Sequence, residues 1–326
     1  MYAAFITQHG PATDIRYGEV PRPVPGPTDV LVDVAAVSVN PVDTFVRSGL
    51  FRTPLPFPFV IGRDLVGTVA EAGPGAPGFA PGDRVWSNSL GHGGRQGPTA
   101  EQAVVPADRL YHLPPGVDGP GAVAVVHPAA TAHLALFAHG GLRAGETVLV
   151  AGGGGNVGGA LVVLAAEAGA RVVATASAAD ADHCRDLGAT EVLDYRAPDL
   201  TDRIRAACPG GVDVHLDTSG TNDLATAVDL LAPRGRIVLL AGARSRPELP
   251  AGQLYMKDGS IRGFVISHAR TDELAEAAGT INRLLAAGRL RARALENLPL
   301  DAAAETHRRL EKGGLNGRRV VLRPDL

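Results

Sequence analysis

The sequence predicts an α/β protein in which a doubly wound parallel sheet accompanies a separate β-rich domain. Three observations lead to this prediction. Short β-branched runs separated by Pro and Gly fill residues 1–120, and apolar runs alternate with helical stretches from about residue 121. A glycine-rich turn also joins one of the later apolar runs to an apolar helix.

The first 120 residues predict short strands separated by turns. Runs such as "DVLVDVAAVSV" (29–39) and "LVGTVAEAG" (65–73) lie between Pro- and Gly-rich segments, which is typical of a barrel-like β-rich domain. An amphipathic helix and a final strand, "RRVVLRP", follow residue 268. We expect residues 268–326 to return to the first domain and make it discontinuous.

The middle of the chain predicts parallel strands. Its apolar runs are short and continuous, as expected for strands buried on both faces. They are "TVLVA" (147–151), "RVVATA" (171–176), "EVLDY" (191–195), "VDVHLD" (212–217), "RIVLLAG" (236–242) and "SIRGFVI" (260–266). Candidate helices lie between them, so residues 121–267 are predicted to form a doubly wound domain.

Composition excludes several classes of function. The chain has 326 residues, of which 45% are hydrophobic and 20% charged, with 31 basic and 34 acidic residues. No long basic run is present, so neither nucleic acid nor an anionic membrane is an expected partner. The N-terminus lacks the pattern of a signal peptide, and the longest apolar stretches are interrupted. We therefore expect a cytoplasmic protein without a membrane span.

The glycine-rich turn predicts a dinucleotide-binding site. Thr147 to Ala151 form a strand before the turn, and a helix runs from about Val157 to Ala168 after it. Glycines at 152, 155 and 158 allow a tight turn, a close approach of the backbone to a pyrophosphate and close packing of helix on strand. A flexible linker would have polar flanks, whereas these flanks are apolar. The turn therefore indicates a Rossmann domain.

The end of the second strand favours NADPH over NADH. An NAD site usually has Asp or Glu there to bind the ribose hydroxyls, and here the position reads Ala176-Ser177. Ser177 could donate a hydrogen bond to a 2′-phosphate, which a carboxylate would repel. The first acidic residue, Asp180, lies beyond the strand. Arg185 and Arg196 are either counter-charges for the phosphate or solvated surface residues.

Several motifs together resemble the zinc-independent quinone oxidoreductases of the medium-chain dehydrogenase/reductase superfamily, which include zeta-crystallin. They are "VSVNPVDTFVRSGLF" (37–51), "PFVIGRDLVGTVAEAGPG" (58–75), "PGDRVW" (81–86), "HPAATAHLALF" (127–137), "LVAGGGGNVGG", "RDLGATEVLDY" (185–195), "VDVHLDTSG" (212–220) and "EKGGLNGRRVVL" (311–322). The resemblance covers nearly the whole chain. It implies a GroES-like catalytic domain plus a Rossmann domain, with the nicotinamide in the cleft between them, and a homodimer or homotetramer.

The residues argue against a metal. In zinc-dependent relatives the catalytic ligands stand at positions that match Asn40, Arg63 and roughly His127. Asn40 is a poor ligand and the cationic Arg63 cannot be one. The two cysteines, Cys184 and Cys208, lie outside the lobe that binds structural zinc in those relatives. We therefore predict neither catalytic nor structural zinc.

Candidate catalytic and substrate-binding residues lie in the first domain. Asn40 can donate a hydrogen bond to the acceptor, and the resemblance places Asp43 beside the nicotinamide. Each also has a structural interpretation: Asn40 as a turn residue before Pro41, and Asp43 as a helix cap or an ion pair with Arg47. The substrate-binding candidates are Phe45, Phe51 and His92.

Two of these candidates have specific alternatives. Phe51 replaces a Tyr that is the favoured proton donor in related enoyl-thioester reductases, so Phe45 and Phe51 are expected to form an apolar wall for a flat ring. His92 could bind or protonate a polar acceptor together with Arg95, although a solvent-exposed loop histidine is the more common case.

Cofactor-binding candidates lie in and around the Rossmann domain. The resemblance suggests Thr131 and Tyr195, and the turn suggests Asn156 near the pyrophosphate. Strand ends supply others, because ligands of open α/β sheets bind at the carboxyl ends of the strands. The full set is Thr131, Gly152, Gly155, Asn156, Val157, Gly158, Ser177, Tyr195, Thr218, Leu240, Ala241, Phe264 and Val265.

The predicted function is NADPH-dependent, zinc-independent transfer of hydride to a small conjugated carbonyl compound such as a quinone. One alternative is an enoyl or enone reductase of a biosynthetic pathway. Another is an NADPH-binding protein without turnover.

Overall fold

The computed structural model describes residues 1–315 and 317–326. It divides into two compact units, one formed by Met1–His127 with Leu274–Leu326 and the other by Pro128–Glu273. The expected boundaries at 120 and 267 fall a few residues before these divisions. The C-terminal segment belongs to the first unit, which is therefore discontinuous.

The helices and strands are numbered in chain order. The strands are β1 (Tyr2–Ile6), β2 (Arg16–Glu19), β3 (Asp29–Ser38), β4 (Phe59–Val60), β5 (Asp64–Ala72), β6 (Arg84–Ser87), β7 (Gln102–Pro106), β8 (Tyr111–His112), β9 (Thr147–Ala151), β10 (Arg171–Ala176), β11 (Glu191–Asp194), β12 (Val212–Asp217), β13 (Leu231–Leu239), β14 (Ser260–Gly263), β15 (Leu295–Pro299) and β16 (Arg319–Arg323). The α-helices are α1 (Pro41–Ser48), α2 (Gly119–His133), α3 (Asn156–Glu167), α4 (Ala181–Asp186), α5 (Leu200–Ala207), α6 (Leu224–Leu230), α7 (Ala251–Met256), α8 (Thr271–Ala286) and α9 (Ala303–Glu311).

The second unit is built on a parallel sheet with the strand order β11-β10-β9-β12-β13-β14. Numbered from β9, this is the order 3-2-1-4-5-6 of the dinucleotide-binding fold, which confirms the predicted doubly wound sheet. The order reverses between β9 and β12, so the carboxyl ends of these two strands mark the expected ligand crevice.

The first unit is β-rich. One sheet has the order β15-β16-β3-β5-β6-β8, with β7 also paired to β3, and a smaller sheet has the order β2-β1-β4. Antiparallel register places Ser38 of β3 opposite both Asp64 of β5 and Val321 of β16. A core of Val, Ile and Leu side chains from these strands surrounds this junction. The separate β-rich domain is confirmed.

One helical stretch among the described residues, Gly119–His139, is long and apolar enough by composition to span a membrane. It comprises α2 and the π-helical turn Leu134–His139. Of its most apolar window, 78% is buried inside the protein, as is usual for a core helix. The expectation that every long apolar stretch is interrupted is wrong for this segment, because it contains no Asp, Glu, Lys or Arg.

Candidate active site

The glycine turn after β9 is shaped by close backbone contacts. Gly152 has φ of +89°, a conformation that favours glycine. A Cβ on Gly158 would lie 2.0 Å from the Gly152 carbonyl oxygen, and one on Gly153 would lie 2.9 Å from the Ala174 Cβ. Helix α3 therefore packs on the strand at a distance that only glycine permits. This turn provides the close backbone approach that a bound pyrophosphate requires.

Two glycine assignments differ in their physical basis. A Cβ on Gly155 would have one neighbour within 4 Å among the described residues, the Gly152 oxygen at 3.4 Å, which is ordinary contact. Gly155 is the exposed N-cap of α3, so it is suited to a ligand approaching the helix N-terminus. Gly153, in contrast, is required by its packing against Ala174.

The start of α3 presents an exposed helix N-terminus. Asn156 is exposed and Val157 is half-buried in the first helical turn. Thr218, which follows β12, donates a hydrogen bond to the Ala151 carbonyl oxygen at 2.9 Å. The turn and the end of β12 are thus joined at the point where the strand order reverses.

Most of the other cofactor candidates lie at the same edge of the sheet. Leu240 and Ala241 follow β13, and Phe264 and Val265 follow β14. Phe264 stacks on His139, with ring centroids 4.4 Å apart. Thr131 differs, since it is half-buried within α2.

Side chains of both charges lie after the ends of β10 and β11. Ser177 donates a 2.7 Å hydrogen bond to the Asp180 carboxylate, and the same carboxyl group packs against Gly154. Asp180 lies beyond the strand, as expected, but its side chain turns back onto Ser177. After β11 the Arg196 guanidinium lies 4.9 Å from the ring centre of the exposed Tyr195. Arg185 pairs with Asp182 on the surface.

Hydrogen bonds between two loops support this edge of the parallel sheet. The buried Asn222 donates hydrogen bonds from Nδ2 to the Ala241 carbonyl oxygen and to Ser245 Oγ, both at 3.0 Å. Asp217 accepts bonds from the backbone N–H groups of Ser219 and Asn222, each at 2.7 Å. The loops that follow β12 and β13 are therefore held together by side chains that sequence reasoning missed.

The first unit contains a buried polar network around Asp64. Asp64 Oδ2 accepts hydrogen bonds from Ser38 Oγ at 2.7 Å and from Asn40 Nδ2 at 2.6 Å. His127 Nδ1 lies 2.9 Å from Asp64 Oδ1, and Arg319 Nη2 donates to Asn40 Oδ1 at 2.9 Å. The Asn40 amide thus has a fixed orientation.

Asp43 lies next to this network and is almost fully buried. Its Oδ2 accepts the backbone N–H of Asn40 at 2.7 Å, so it caps the start of α1. The alternative ion pair with Arg47 is wrong, because Arg47 binds the Gly10 carbonyl oxygen and Glu311. Asp43 Oδ1 has no hydrogen-bond partner among the described residues. Burial, and then repulsion by Asp64, raise the pKa of Asp43 to about 6.

The buried Arg63 lies beside Asp43. Its Nε is 3.9 Å from Asp43 Oδ1, and its Nη1 is 3.2 Å from His92 Nδ1. His92 also contacts Arg95 and is only 7% exposed, so the interpretation as a solvent-exposed loop histidine is wrong. Burial lowers the pKa of Arg63, while Asp43 and Asp64 oppose that change.

The two aromatic candidates are adjacent. The Phe51 N–H donates to the Phe45 carbonyl oxygen at 3.0 Å, and both side chains are half-buried. Phe51 packs against the core of the first unit. These rings supply apolar surface at the end of α1.

Sequence reasoning missed Ser38, Asp64 and Arg319. They lie at the ends of β3, β5 and β16, and strand register brings them together. The local signal for Asp64 and Arg319 is a charged residue at the start of an apolar strand, in "GRDLVG" and "GRRVVL".

Within residues 1–315 and 317–326, no group of three or more His, Cys, Asp or Glu side chains is placed to hold a metal ion. The guanidinium of Arg63 lies near Asp43 and Asp64, and it cannot coordinate a cation.

A dinucleotide-binding sheet with a glycine turn, joined to a β-rich unit with a buried polar site, defines the medium-chain dehydrogenase/reductase superfamily. Residues 26–115 match the family described as "Alcohol dehydrogenase GroES-like domain". Residues 156–283 match the family described as "Zinc-binding dehydrogenase". The β-rich unit is therefore GroES-like.

Comparison with individual proteins identifies the family. The chain is 31% identical over 316 residues to the quinone oxidoreductase of Sus scrofa, which covers 96% of this chain and 94% of that protein. It belongs to the quinone oxidoreductase family, as the sequence motifs predicted, and is an oxidoreductase of that type.

Two solved structures are similar over almost their whole length. Mycobacterial Rv1454c complexed with NADPH has a TM-score of 0.84 and 30% identity, covering 99% of this chain and 100% of that one. An NAD-dependent alcohol dehydrogenase has a TM-score of 0.87 and 32% identity, covering 99% of both chains.

Proposed function

We propose that this protein uses NADPH to reduce quinones or similar conjugated carbonyl compounds. The observation that carries the proposal is the presence, in one chain, of a glycine turn with an exposed helix N-terminus and a buried carboxyl group, Asp43, whose Oδ1 has no hydrogen-bond partner among the described residues. The similarity to quinone oxidoreductases supports the choice of acceptor.

The second unit would hold the cofactor. The glycine turn and the N–H groups at the start of α3 suit the pyrophosphate, with Asn156 and Val157 beside it. Thr218, Leu240, Ala241, Phe264 and Val265 would line the path along the sheet edge, and Thr131 would also contact the cofactor. When bound, NADPH supplies the hydride.

The choice of NADPH rests on Ser177 and on the cation near Tyr195. Arg196, stacked on the Tyr195 ring, would face a 2′-phosphate. The NADPH complex of the mycobacterial neighbour supports this choice. One observation favours NADH as the second candidate: the Asp180 carboxylate bonded to Ser177 would repel a 2′-phosphate and could accept ribose hydroxyls.

In the first unit, Asn40, Asp43 and three further side chains would act on the acceptor. Asn40 would orient it by hydrogen bonding, since the Asn40 amide is held by Asp64 and Arg319. Asp43, with its pKa near 6, would supply a proton to the reduced acceptor. Phe45 and Phe51 would pack against a flat ring, and His92 would bind a polar substituent.

An enoyl or enone reductase is the first alternative, and an NADPH-binding protein without turnover is the second. Phe51 cannot donate a proton, but Asp43 could do so, so an enone substrate is compatible with these residues. The quinone reductase and the enoyl or enone reductase therefore differ in their substrate and not in their cofactor.

The test follows the loss of NADPH absorbance with 1,4-benzoquinone, 2-cyclohexen-1-one and a crotonyl thioester. We expect turnover with the quinone above all. Turnover with the crotonyl thioester alone would assign the protein to the enoyl reductases. NADPH binding without oxidation by any acceptor would favour the non-catalytic alternative.

Three accompanying proposals need separate measurements. Elemental analysis of the purified protein should find no stoichiometric zinc, and chelation should leave activity unchanged. Light scattering should show a homodimer or homotetramer. Cell fractionation should place the protein in the cytoplasm, without nucleic acid or membrane partners.

A further inference from the structure

Arg63 is a buried cation whose hydrogen bonds are mostly unmade. Its side chain is 1% exposed, and its Nε and Nη2 have no hydrogen-bond partner within the described part of the chain. A guanidinium has five N–H donors and no acceptor. Buried donors in native proteins are nearly always paired, so this group is poised for a ligand with acceptor atoms.

His92 cannot satisfy Arg63 and Arg95 together. Arg63 Nη1 lies 3.2 Å from His92 Nδ1, and Arg95 Nη2 lies 3.0 Å from His92 Nε2. A neutral imidazole has one acceptor nitrogen, so whichever tautomer forms, one arginine faces an N–H group. His92 Nδ1 is also 3.2 Å from the Leu90 carbonyl oxygen, to which it can donate. With the proton on Nδ1, His92 Nε2 accepts from Arg95, and Arg63 Nη1 faces the Nδ1–H group. Arg63 Nη1 then lacks an acceptor, as Nε and Nη2 do.

Asp43 supplies the complementary group. Its Oδ1 lacks a hydrogen-bond partner among residues 1–315 and 317–326, and it lies 3.9 Å from Arg63 Nε. That distance is too long for a direct hydrogen bond. An oxygen atom about 2.8 Å from each would bridge the two, accepting from Nε and sharing a proton with Oδ1.

We propose that Arg63 and Asp43 form an oxygen-binding pair that takes the carbonyl oxygen of the acceptor. This inference rests on the proposed function and assigns a new role to Arg63. The positive guanidinium stabilises negative charge on that oxygen, in a site from which bulk water is excluded. No metal ion is needed for this polarisation.

The step balances as follows for a quinone. Hydride from NADPH would form an O–H bond at the far carbonyl oxygen of the quinone, and the electron pair moved through the ring would leave the near oxygen anionic beside Arg63. The O–H bond of protonated Asp43 breaks and a new O–H bond forms on that oxygen, leaving hydroquinone, NADP⁺ and the Asp43 carboxylate. Solvent returns a proton to Asp43.

The substrate class follows from the pair. The acceptor must carry a carbonyl oxygen that gains negative charge during reduction, as in quinones and enones. An alkene without a conjugated carbonyl has no such oxygen and should not react.

The first test uses 4-nitrophenol, whose oxygen stands in for that of the reduced quinone and whose ionisation changes its visible absorbance. We expect the probe bound to the NADP⁺-loaded protein to be more ionised than free probe at the same pH. Arg63→Gln should abolish this shift. Arg84 is the control, because its guanidinium donates to the Val117 carbonyl oxygen. The variant Arg84→Gln should retain the shift in probe ionisation. Equal spectra for the wild type and Arg63→Gln would overturn the proposal.

The second test is kinetic. Arg63→Gln should lower kcat for 1,4-benzoquinone by about 100-fold, the effect typical of losing one oxyanion donor, while NADPH affinity stays the same. Arg63→Lys keeps the charge and should retain part of the activity, and it serves as the test variant if circular dichroism shows that Arg63→Gln is unfolded. Unchanged kcat in a folded variant would overturn the role of Arg63 and leave the proposed function standing. A shift that depends on Arg63, in a protein that oxidises no NADPH, would support the oxygen site and reject the proposed function.

Discussion

Arg319 Nη2 donates a 2.9 Å hydrogen bond to Asn40 Oδ1, although 279 residues separate them in the sequence. The antiparallel pairing of Val321 with Ser38 brings the start of β16 to the end of β3. Because Asn40 Nδ2 donates to Asp64 at the same time, the amide is held from both ends. The last strand of the chain thereby helps to position a candidate catalytic residue near its beginning.

Replacing Arg319 by Met should destabilise the protein by about 3–5 kcal/mol, because it removes one partner from a buried charged network. Arg318→Met is the matched control. The Arg318 side chain is half exposed, and its Nη1 lies 3.5 Å from Glu296 Oε2. Its replacement should therefore change the free energy of unfolding by about 1 kcal/mol or less. Urea unfolding measures both variants. Similar losses in the two would contradict the role given to Arg319.

The stability of the protein should respond to the protonation of Asp43. Arg63, Asp64, His127 and Arg319 surround this group, and burial raises its folded pKa to about 6 from an unfolded value near 3.8. Between these values the folded state binds more protons than the unfolded state, so stability falls as pH rises. The contribution of Asp43 is about 3 kcal/mol.

Asp43→Asn should remove that contribution. The free energy of unfolding of Asp43→Asn, minus that of the wild type, should therefore rise by about 2 kcal/mol between pH 4 and pH 7. Chemical denaturation over this range provides the measurement. A difference that stays constant with pH would show that the folded pKa of Asp43 is not raised above its unfolded value.

Proton donation by Asp43 predicts a pH-dependent rate. Above pH 6 the protonated fraction falls tenfold per pH unit, so kcat with 1,4-benzoquinone should decline where proton transfer limits the rate. Asp43→Asn should lower kcat by about 100-fold or more and remove this decline. A wild-type profile that stays level from pH 5 to pH 9 would argue against Asp43 as donor.

Asp180→Asn should tighten NADPH binding by about fivefold, because it removes a negative charge next to Ser177 where the 2′-phosphate is proposed to bind. Ser177→Asp should have the opposite effect and weaken NADPH more than NADH. Asp182→Asn alters an exposed ion pair with Arg185 and should change neither affinity. Isothermal titration with both cofactors provides the data. Loss of NADH affinity in Asp180→Asn without a gain for NADPH would assign the protein to NADH.

The glycine turn offers a matched pair of alanine variants. Gly158→Ala would place a Cβ 2.0 Å from the Gly152 carbonyl oxygen, so it should destabilise the protein by about 1–3 kcal/mol and weaken NADPH binding. Gly155→Ala meets the same oxygen at 3.4 Å and should fold with little loss. Thermal unfolding and cofactor titration distinguish the two. A well-folded Gly158→Ala that binds NADPH normally would contradict this account of the turn.

Local sequence was enough to predict the Rossmann domain. The runs at 147–151, 171–176 and 212–217 coincide with β9, β10 and β12, because a strand buried on both faces must be apolar along its length. The position of the glycine turn follows from the same local pattern. These are properties of short segments and need no knowledge of distant contacts.

The buried polar site depends on the tertiary fold. Strand register brings Ser38 opposite Asp64 and Arg319 to Asn40, and nothing in the local pattern specifies that register. The burial of His92 and the return of Asp180 onto Ser177 also arise from loop conformations that periodicity does not encode. Apolar burial is a local demand on each strand, whereas a charge can be buried only where distant partners meet it.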